Sequence, residues 1–599
     1  MLVKVDDVMN KAFDYVVIGG GNAGLTLAAR LSEDPAVSVL LLEAGAAHIN
    51  DPEVLRVGFF GRLFMQKDYA YAYKITTHSG VTGAMRPWFR GKGLGGSAGI
   101  NFMVWMPPPR EELDDFERLG NPGWNFADWK RLTKKIEHFY PPSKERQEAL
   151  QINCNEWDLG REGPLPIAYP ATIPEGEHKI RESIIKAGIP PAVDAYKGNP
   201  RGVFWALNTY DPNTNTRAYP GSAFLDPIMH RPNFSVLVEA RVNRILSKTG
   251  EDGTVTATGV EFDHGGETRV ANVMKEVVVS AGTLESPHVL ELSGIGKRDV
   301  LEKAGIPLKV ELPGVGENMQ DRMLIAVSWE LRDDANLETW DVFRDKPEMI
   351  AKHAELHANG EGLFTVGLVN AVFAPLKTIT PKAQEIYEEA KAEIQQKLDA
   401  FHPGLQEQYK YQLDRILNGA PEGEILVFPG LSVFYNPPTP GKKYLTFAVA
   451  LNHPFSRGTI HSLSNDPNQD PEFDPHYFEY DVDLEIYTEV VRFVRKIADH
   501  SPLKDLVAKE HNPGPDCQTD EQVKEWVKTR CSTMWHTAGV CGMLPKEKNG
   551  VVDPQLKVYG TNNIRVADMS IVPLLFAGHP SSTVYYIAEK AAEIIKNGK

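Results

Sequence analysis

Residues 14–43 form a strand, a glycine-rich turn, a helix and a second strand that ends in an acid, and this unit commits the start of the chain to a parallel α/β arrangement. An apolar run, Tyr15-Val16-Val17-Ile18, leads into Gly19-Gly20-Gly21-Asn22-Ala23-Gly24 and then into a helix-forming stretch, 25–31, closed by Pro35. A second apolar run, 37–42, ends in Glu43, which is 43 − 24 = 19 residues after Gly24. Gly19 permits the tight turn, Gly21 lets the backbone approach a pyrophosphate, and Gly24 lets helix and strand pack closely. The phosphates then sit on the helix N-terminus, with Asn22 and Ala23 in its first turn. Glu43 stands where a ribose-binding acid is expected, and the lack of a neighbouring Arg argues against a 2′-phosphate. The motif alone leaves FAD and NAD open.

The chain has 599 residues, too many for one compact core, and its length alone allows about three or four domains, fewer where segments interleave. Its net charge of −16, with no Lys/Arg-rich cluster, makes nucleic acid and anionic membrane poor partners. A neutral or cationic small molecule fits better. No stretch reaches 18 uninterrupted apolar residues, so no transmembrane span is expected. The first ten residues lack an apolar signal core, although a mature secreted form would read the same. Four cysteines are no disulfide framework, and Asn233-Phe234-Ser235 is the one glycosylation sequon; an intracellular location is the expectation.

Strand-helix units mixed with long loops read as α/β with insertions. Residues 236–242, 255–262 and 276–280 read as strands, the last feeding a helix from Ser286. Residues 445–451 and 458–463 read as strands of a second sheet. Residues 381–418 read as a surface helix pair, with a substrate-access lid as the sharper alternative. Near the end, 563–568 reads as a buried strand delivering Asp568, and 581–596 as a helix capped by Ser581 or Ser582. The positive end of that helix can face an electron-accepting cofactor.

Further segments carry a family resemblance. Gly91-Lys92-Gly93-Leu94-Gly95-Gly96-Ser97-Ala98-Gly99-Ile100-Asn101 resembles the first signature of the glucose-methanol-choline (GMC) oxidoreductases. Gly282-Thr283-Leu284-Glu285-Ser286-Pro287, through Leu292-Ser293-Gly294-Ile295-Gly296, resembles the second. Gly314-Val315-Gly316-Glu317-Asn318, Trp535-His536-Thr537-Ala538-Gly539 and Arg565-Val566-Ala567-Asp568 are similar to other segments of the family, in family order.

The resemblance implies an α/β (overall α+β) protein with two interleaved domains. A Rossmann-like FAD-binding domain takes 10–165, 220–320 and 535–599; a substrate domain, with a mainly antiparallel sheet flanked by helices, takes 166–219 and 321–534. Carried over residue by residue, the resemblance puts Gly19, Gly21, Gly24 and Glu43 at the ADP half of FAD, Val242 beside adenine, and Ala567 and Asp568 near the ribitol and pyrophosphate. Leu94, Ser97, Asn101, Phe102, Met103 and Val104 match the loop along the flavin, with Trp535 and Pro580 beside it. His536 and His579 match the catalytic pair, His536 as the base and His579 holding the alcohol oxygen while a hydride leaves carbon for flavin N5.

Trp535 and Phe102 resemble aromatic residues of aryl-alcohol and hydroxymethylfurfural oxidases, which implies a flat aromatic or furanic primary alcohol, with O2 as acceptor and H2O2 as product. The alternatives are a dehydrogenase using quinones or acting on choline, sugar or aliphatic alcohols, and an FAD-containing hydroxynitrile lyase. Three residues depart from the pattern: Ala98 replaces Ser/Thr, Thr537 replaces Pro, and Arg322 stands where His is usual. Cys541 lies near His536, but with no Cys-x-x-Cys or His/Cys cluster no metal is expected.

Overall fold

Apolar runs with no polar face need cover on both sides, and the two runs of the nucleotide unit receive it as neighbouring parallel strands. The computed structural model describes residues 2–598 apart from 10, 59–60, 77–79, 84–86, 155–156 and 434. Ala12–Ile18 pairs in parallel with Val39–Leu42, in the register Tyr15 to Val39 and Ile18 to Leu42, and on its other side with Glu267–Val279. Phe234–Leu237 extends the sheet beyond Val39–Leu42, and Ile564–Val566 joins in parallel beside 277–279. Val255–His264 and Arg241–Thr249 complete seven strands as an antiparallel continuation.

The helices Asn22–Leu31 and Ser581–Lys596 pack on one another and bury Leu25, Leu27, Ala28, Ile587, Ala588 and Ala591 in the same apolar cluster as the strands. Each such Leu or Ile contributes about 1.5–3 kcal/mol of burial. The far end of the chain is thereby fastened beside the glycine turn at its start.

A second sheet of seven strands is antiparallel throughout. Its order is Val507–Asn512, Met323–Leu331, Tyr444–Leu451, Gly423–Phe428, Asn370–Ala374 and Gly202–Trp205, with Ser532–Thr533 also paired to Met323–Leu331. The amphipathic helix Asp481–Ala498 covers one face with Ile486, Val490, Val494 and Ile497. The interleaved domain boundaries set out above are our proposed division; the strands of the first sheet come from one set of segments and those of the second from the other.

Three local expectations need correction. Residues 236–242 are not one strand: Glu239 adopts φ of 54°, and the amides of Glu239 and Ala240 turn to the carbonyls of Gly45 and Glu43. Alternation of apolar residues does not register a single left-handed residue. Residues 458–463 leave the second sheet; Thr459–His461 pairs with Glu472–Asp474 in a separate ribbon, because Gly458 and Ile460 bond instead to Met319 and Gly316. Neither Ser581 nor Ser582 caps the last helix: Pro580 is its N-cap, and the Ser582 hydroxyl donates to the carbonyl of Met106 at 2.5 Å. The expected helix pair is present as Ala383–Lys397 and Pro403–Leu417; it packs Ile386, Ala390, Ile394 and Tyr409 into the core of the second sheet, and none of its residues is among those lining the central cavity.

The sequon asparagine is structural, since Asn233 Nδ2 donates to the carbonyls of Ser32, Asp34 and Val37 at 2.9–3.0 Å. Among the described residues no helix is long and apolar enough to cross a membrane, and no group of His, Cys, Asp and Glu is arranged to hold a metal.

Candidate active site

A cavity of about 510 Å³ runs from the glycine turn to the underside of the second sheet. At its nucleotide end two glycine loops meet. Gly19 has φ of 97°, and a Cβ there would lie 2.5 Å from the Ser280 carbonyl oxygen; a Cβ on Gly96, φ 50°, would lie 2.7 Å from Gly21 Cα. A Cβ on Gly21 would find no contact closer than 3.9 Å, so the backbone there is open to a ligand. The helix N-terminus at Asn22 faces the same space, with Asn22 Oδ1 buried and lacking a partner among the described residues. This cradle, followed by Ser97, Val242 and Asp568 along the cavity wall, fits a dinucleotide such as FAD.

Glu43 lines the cavity but already accepts three backbone amides: Gly20 at 2.7 Å on Oε2, and Gly45 at 2.7 Å and Gly93 at 3.0 Å on Oε1. It is therefore a brace between the two glycine loops, whatever it offers a ribose. Asp568 does similar work, taking Gly282 N and the Ser286 hydroxyl on Oδ2 and Ser570 N on Oδ1. Three expected contact residues lie behind the wall. Gly24 allows the close helix-turn approach, since a Cβ would lie 2.0 Å from Gly19 O; Leu94 packs under Gly20; Ala567 follows the strand Ile564–Val566 and its carbonyl accepts the Ser280 hydroxyl.

At the other end His536 and His579 face each other with ring centroids 5.0 Å apart and planes at 74°. Burial above all, with the neighbouring His579 and the cations Arg322 and Arg90 adding to it, pushes the His536 pKa well below 6.5, so the ring is neutral at pH 7. His536 Nδ1 is buried without a partner among the described residues. His579 Nε2 lies 2.8 Å from Glu424 Oε1.

Strand alternation explains that partner. In Gly423–Phe428, Ile425 and Val427 enter the core behind the sheet, while Glu424, Leu426 and Phe428 point the other way, with Leu426 and Phe428 on the cavity wall. An aromatic chamber completes the site. Trp535 lies 5.0 Å from Phe64 and 6.2 Å from Phe102, Phe102 meets Phe428 edge-on at 5.7 Å, and Phe64 stacks on Phe89 at 5.3 Å. Trp535 and Met103, on opposite loops, both hold φ of 61°, a conformation costing about 1–3 kcal/mol for a residue with a side chain.

The cavity thus gathers Gly19, Gly21, Asn22, Ala23, Glu43, Ser97, Asn101, Phe102, Met103, Val104, Val242, Trp535, His536, Asp568, His579 and Pro580 from the sequence-based set. It adds Phe64, Phe89, Arg90, Leu324, Leu426 and Phe428. Glu424 and Arg217 stand behind the wall. Arg217 is buried and binds Asn101 Oδ1 at 2.7 Å, the carbonyl of Ala98 at 3.2 Å and that of Val54 at 3.0 Å, so it sets the loop through Asn101 from more than a hundred residues away. Only the acid at a buried position of an apolar strand, Glu424, left a signal that pattern reading can find.

Known proteins share this fold. An FAD-dependent oxidoreductase from Chaetomium thermophilum superposes with a TM-score of 0.89 at 29% identity, over 98% of this chain and 99% of that one. A fungal aryl-alcohol oxidase does so with a TM-score of 0.87 at 26% identity, over 98% and 100%. In sequence, a GMC oxidoreductase family protein of Malassezia sympodialis, Mala s 12, is 33% identical over 98% of this chain and 93% of its own length. Other curated relatives carry the name dehydrogenase. Residues 13–324 and 454–588 match the N- and C-terminal profiles described as GMC oxidoreductase, so this chain is a member of the GMC oxidoreductase family and an FAD-dependent oxidoreductase.

Proposed function

We propose that the protein oxidises a primary alcohol borne on a flat aromatic or furanic ring to the aldehyde, with O2 as electron acceptor and H2O2 as second product. The observation that carries this reading is the paired His536 and His579 at the end of an aromatic chamber. FAD, when bound against Gly21, Ser97, Asn101, Val242 and Asp568, supplies the acceptor for the two electrons and the hydrogen that leave the carbinol carbon.

The protein's own part is proton handling and placement. His536, neutral at pH 7, has a lone pair with which to take the hydroxyl proton. His579 hydrogen-bonds the hydroxyl and holds it in line. Trp535, Phe102, Phe64 and Phe428 offer faces and edges to a ring and exclude water from the reacting bond.

The test is anaerobic mixing of the holoenzyme with benzyl, furanic, aliphatic and sugar alcohols while the flavin absorbance is followed. Fast bleaching by the first two classes supports the reading. Bleaching only by aliphatic or sugar alcohols overturns the substrate class, and no bleaching by any alcohol overturns the redox reading in favour of a lyase. Reoxidation of the reduced enzyme by O2 and by benzoquinone, compared in stopped flow, separates oxidase from dehydrogenase.

A further inference from the structure

Arg322 is completely buried and makes two directed contacts. Its Nη1 lies 3.0 Å from Glu424 Oε2, and its Nη2 donates to the carbonyl of Phe576, three residues before His579. Glu424 is also completely buried, and its second oxygen is the one 2.8 Å from His579 Nε2. One side chain therefore grips the backbone that carries His579 and, through Glu424, its ring.

The same segment is held on every side. Gln320 bonds Pro573 O and Leu575 N, Arg415 bonds Leu575 O, and Glu112 accepts Ala577 N. The ring has little freedom to swing away from Glu424.

A carboxylate only accepts hydrogen bonds, so His579 Nε2 carries the hydrogen. Nδ1 is then the nitrogen of this cavity-lining ring that remains for a ligand, and no described residue hydrogen-bonds to it. On a neutral ring that nitrogen offers a lone pair. His536 has no such backing: neither of its ring nitrogens is hydrogen-bonded to a described residue, and Nδ1 is buried.

We propose that Glu424 and Arg322 are positioning residues that fix His579 as its Nε2–H tautomer and turn its Nδ1 toward the substrate hydroxyl, giving the site a second acceptor for the hydroxyl proton beside His536. The proposal rests on the alcohol reading above for the identity of the proton donor. In the step, the O–H bond breaks, an Nδ1–H bond forms, and both electrons of the O–H bond stay on oxygen. The positive charge that arises on His579 is balanced by Glu424, and Arg322 keeps Glu424 in place.

Two measurements on the holoenzyme test it. The first is ¹⁵N NMR of labelled histidine, with His579 assigned by its loss in His579→Asn; it needs no turnover and so stands apart from the substrate reading. Wild type is expected to show a protonated Nε2 and an unprotonated Nδ1, and the opposite tautomer overturns the proposal. The second is a double-mutant cycle on the rate of anaerobic flavin reduction. His579→Asn and Glu424→Gln are each expected to slow reduction about tenfold or more, with the double variant no slower than His579→Asn alone. Glu424→Gln should also lower the rate that survives in His536→Ala. Fully additive effects of Glu424→Gln and His579→Asn overturn the proposal. Should Glu424→Gln fail to fold, the tautomer in wild type decides.

Discussion

The hydroxyl of Thr537 donates to Asp321 Oδ1 at 2.9 Å and accepts from Arg90 Nη2 at 2.9 Å, so the residue after His536 is clamped between two charged side chains. Burial pushes the Asp321 carboxyl up to about 6, and its hydrogen bonds, the Tyr477 hydroxyl first among them, restrain that rise. A proline at this position would have no group to make this clamp. Thr537→Val keeps the shape and removes both bonds, leaving Asp321 short of a partner. We expect a stability loss of about 1–3 kcal/mol, read by urea unfolding, and slower flavin reduction with full FAD content. Wild-type stability and rate in this variant would show the clamp to be idle.

His536→Ala removes the assigned base without touching the nucleotide cradle. Turnover is expected to fall more than ~10²-fold while FAD stays bound. Because the His536 pKa lies well below 6.5, its lone pair is available on both sides of that value. The rate of anaerobic reduction should therefore stay level as pH falls from 8 to 6, where a histidine at 6.5 would already have lost more than half of its neutral form. A titration near 6.5 in the wild-type rate that vanishes in His536→Ala contradicts the buried, neutral imidazole.

Gly96 tests the cofactor end. Its φ is 50°, and only 2.7 Å would separate an added Cβ from Gly21 Cα, so even alanine pushes one glycine loop off the other. The displaced atom is backbone, which cannot move aside as a side chain can. Gly96→Ala should weaken FAD binding by roughly tenfold to a hundredfold, equivalent to ~1.4–3 kcal/mol, seen as protein that purifies with little flavin. Full flavin content would mean that the loops do not form the cradle together.

The parts legible in the sequence were those with a short-range physical signature. The glycines at 19, 21 and 24 declare a turn and a close approach, and the two apolar runs at 15–18 and 37–42 declare parallel strands. The segments around Gly91, Gly282 and His536 then identify the family and its fold. What escaped depended on contacts between distant residues. Glu43 braces Gly93 as well as facing the cavity, Arg217 sets Asn101, and Arg322 reaches Phe576 and Glu424; in each case the partner is 50 or more residues away. The break at Glu239 escaped for the opposite reason, since one left-handed residue changes the chain direction without altering the apolar pattern.

Phe428 decides how far the aromatic chamber sets the substrate. Its ring meets Phe102 edge-on at 5.7 Å on the cavity wall, and it lies on the same strand face as Glu424, so a substrate held at His579 is within the reach of that face. Phe428→Leu keeps most of the apolar volume of the sheet and removes only the ring. Loss of one aromatic contact is worth about 0.5–1.5 kcal/mol, so KM for benzyl and furanic alcohols should rise up to about tenfold, with kcat changed less. A small aliphatic alcohol, with no ring to stack, should keep its KM. Steady-state kinetics on the two substrate classes side by side provides the comparison. An equal rise for both would mean that Phe428 shapes the fold of the strand and not the choice of alcohol, and the aromatic substrate class would then rest on Trp535, Phe102 and Phe64.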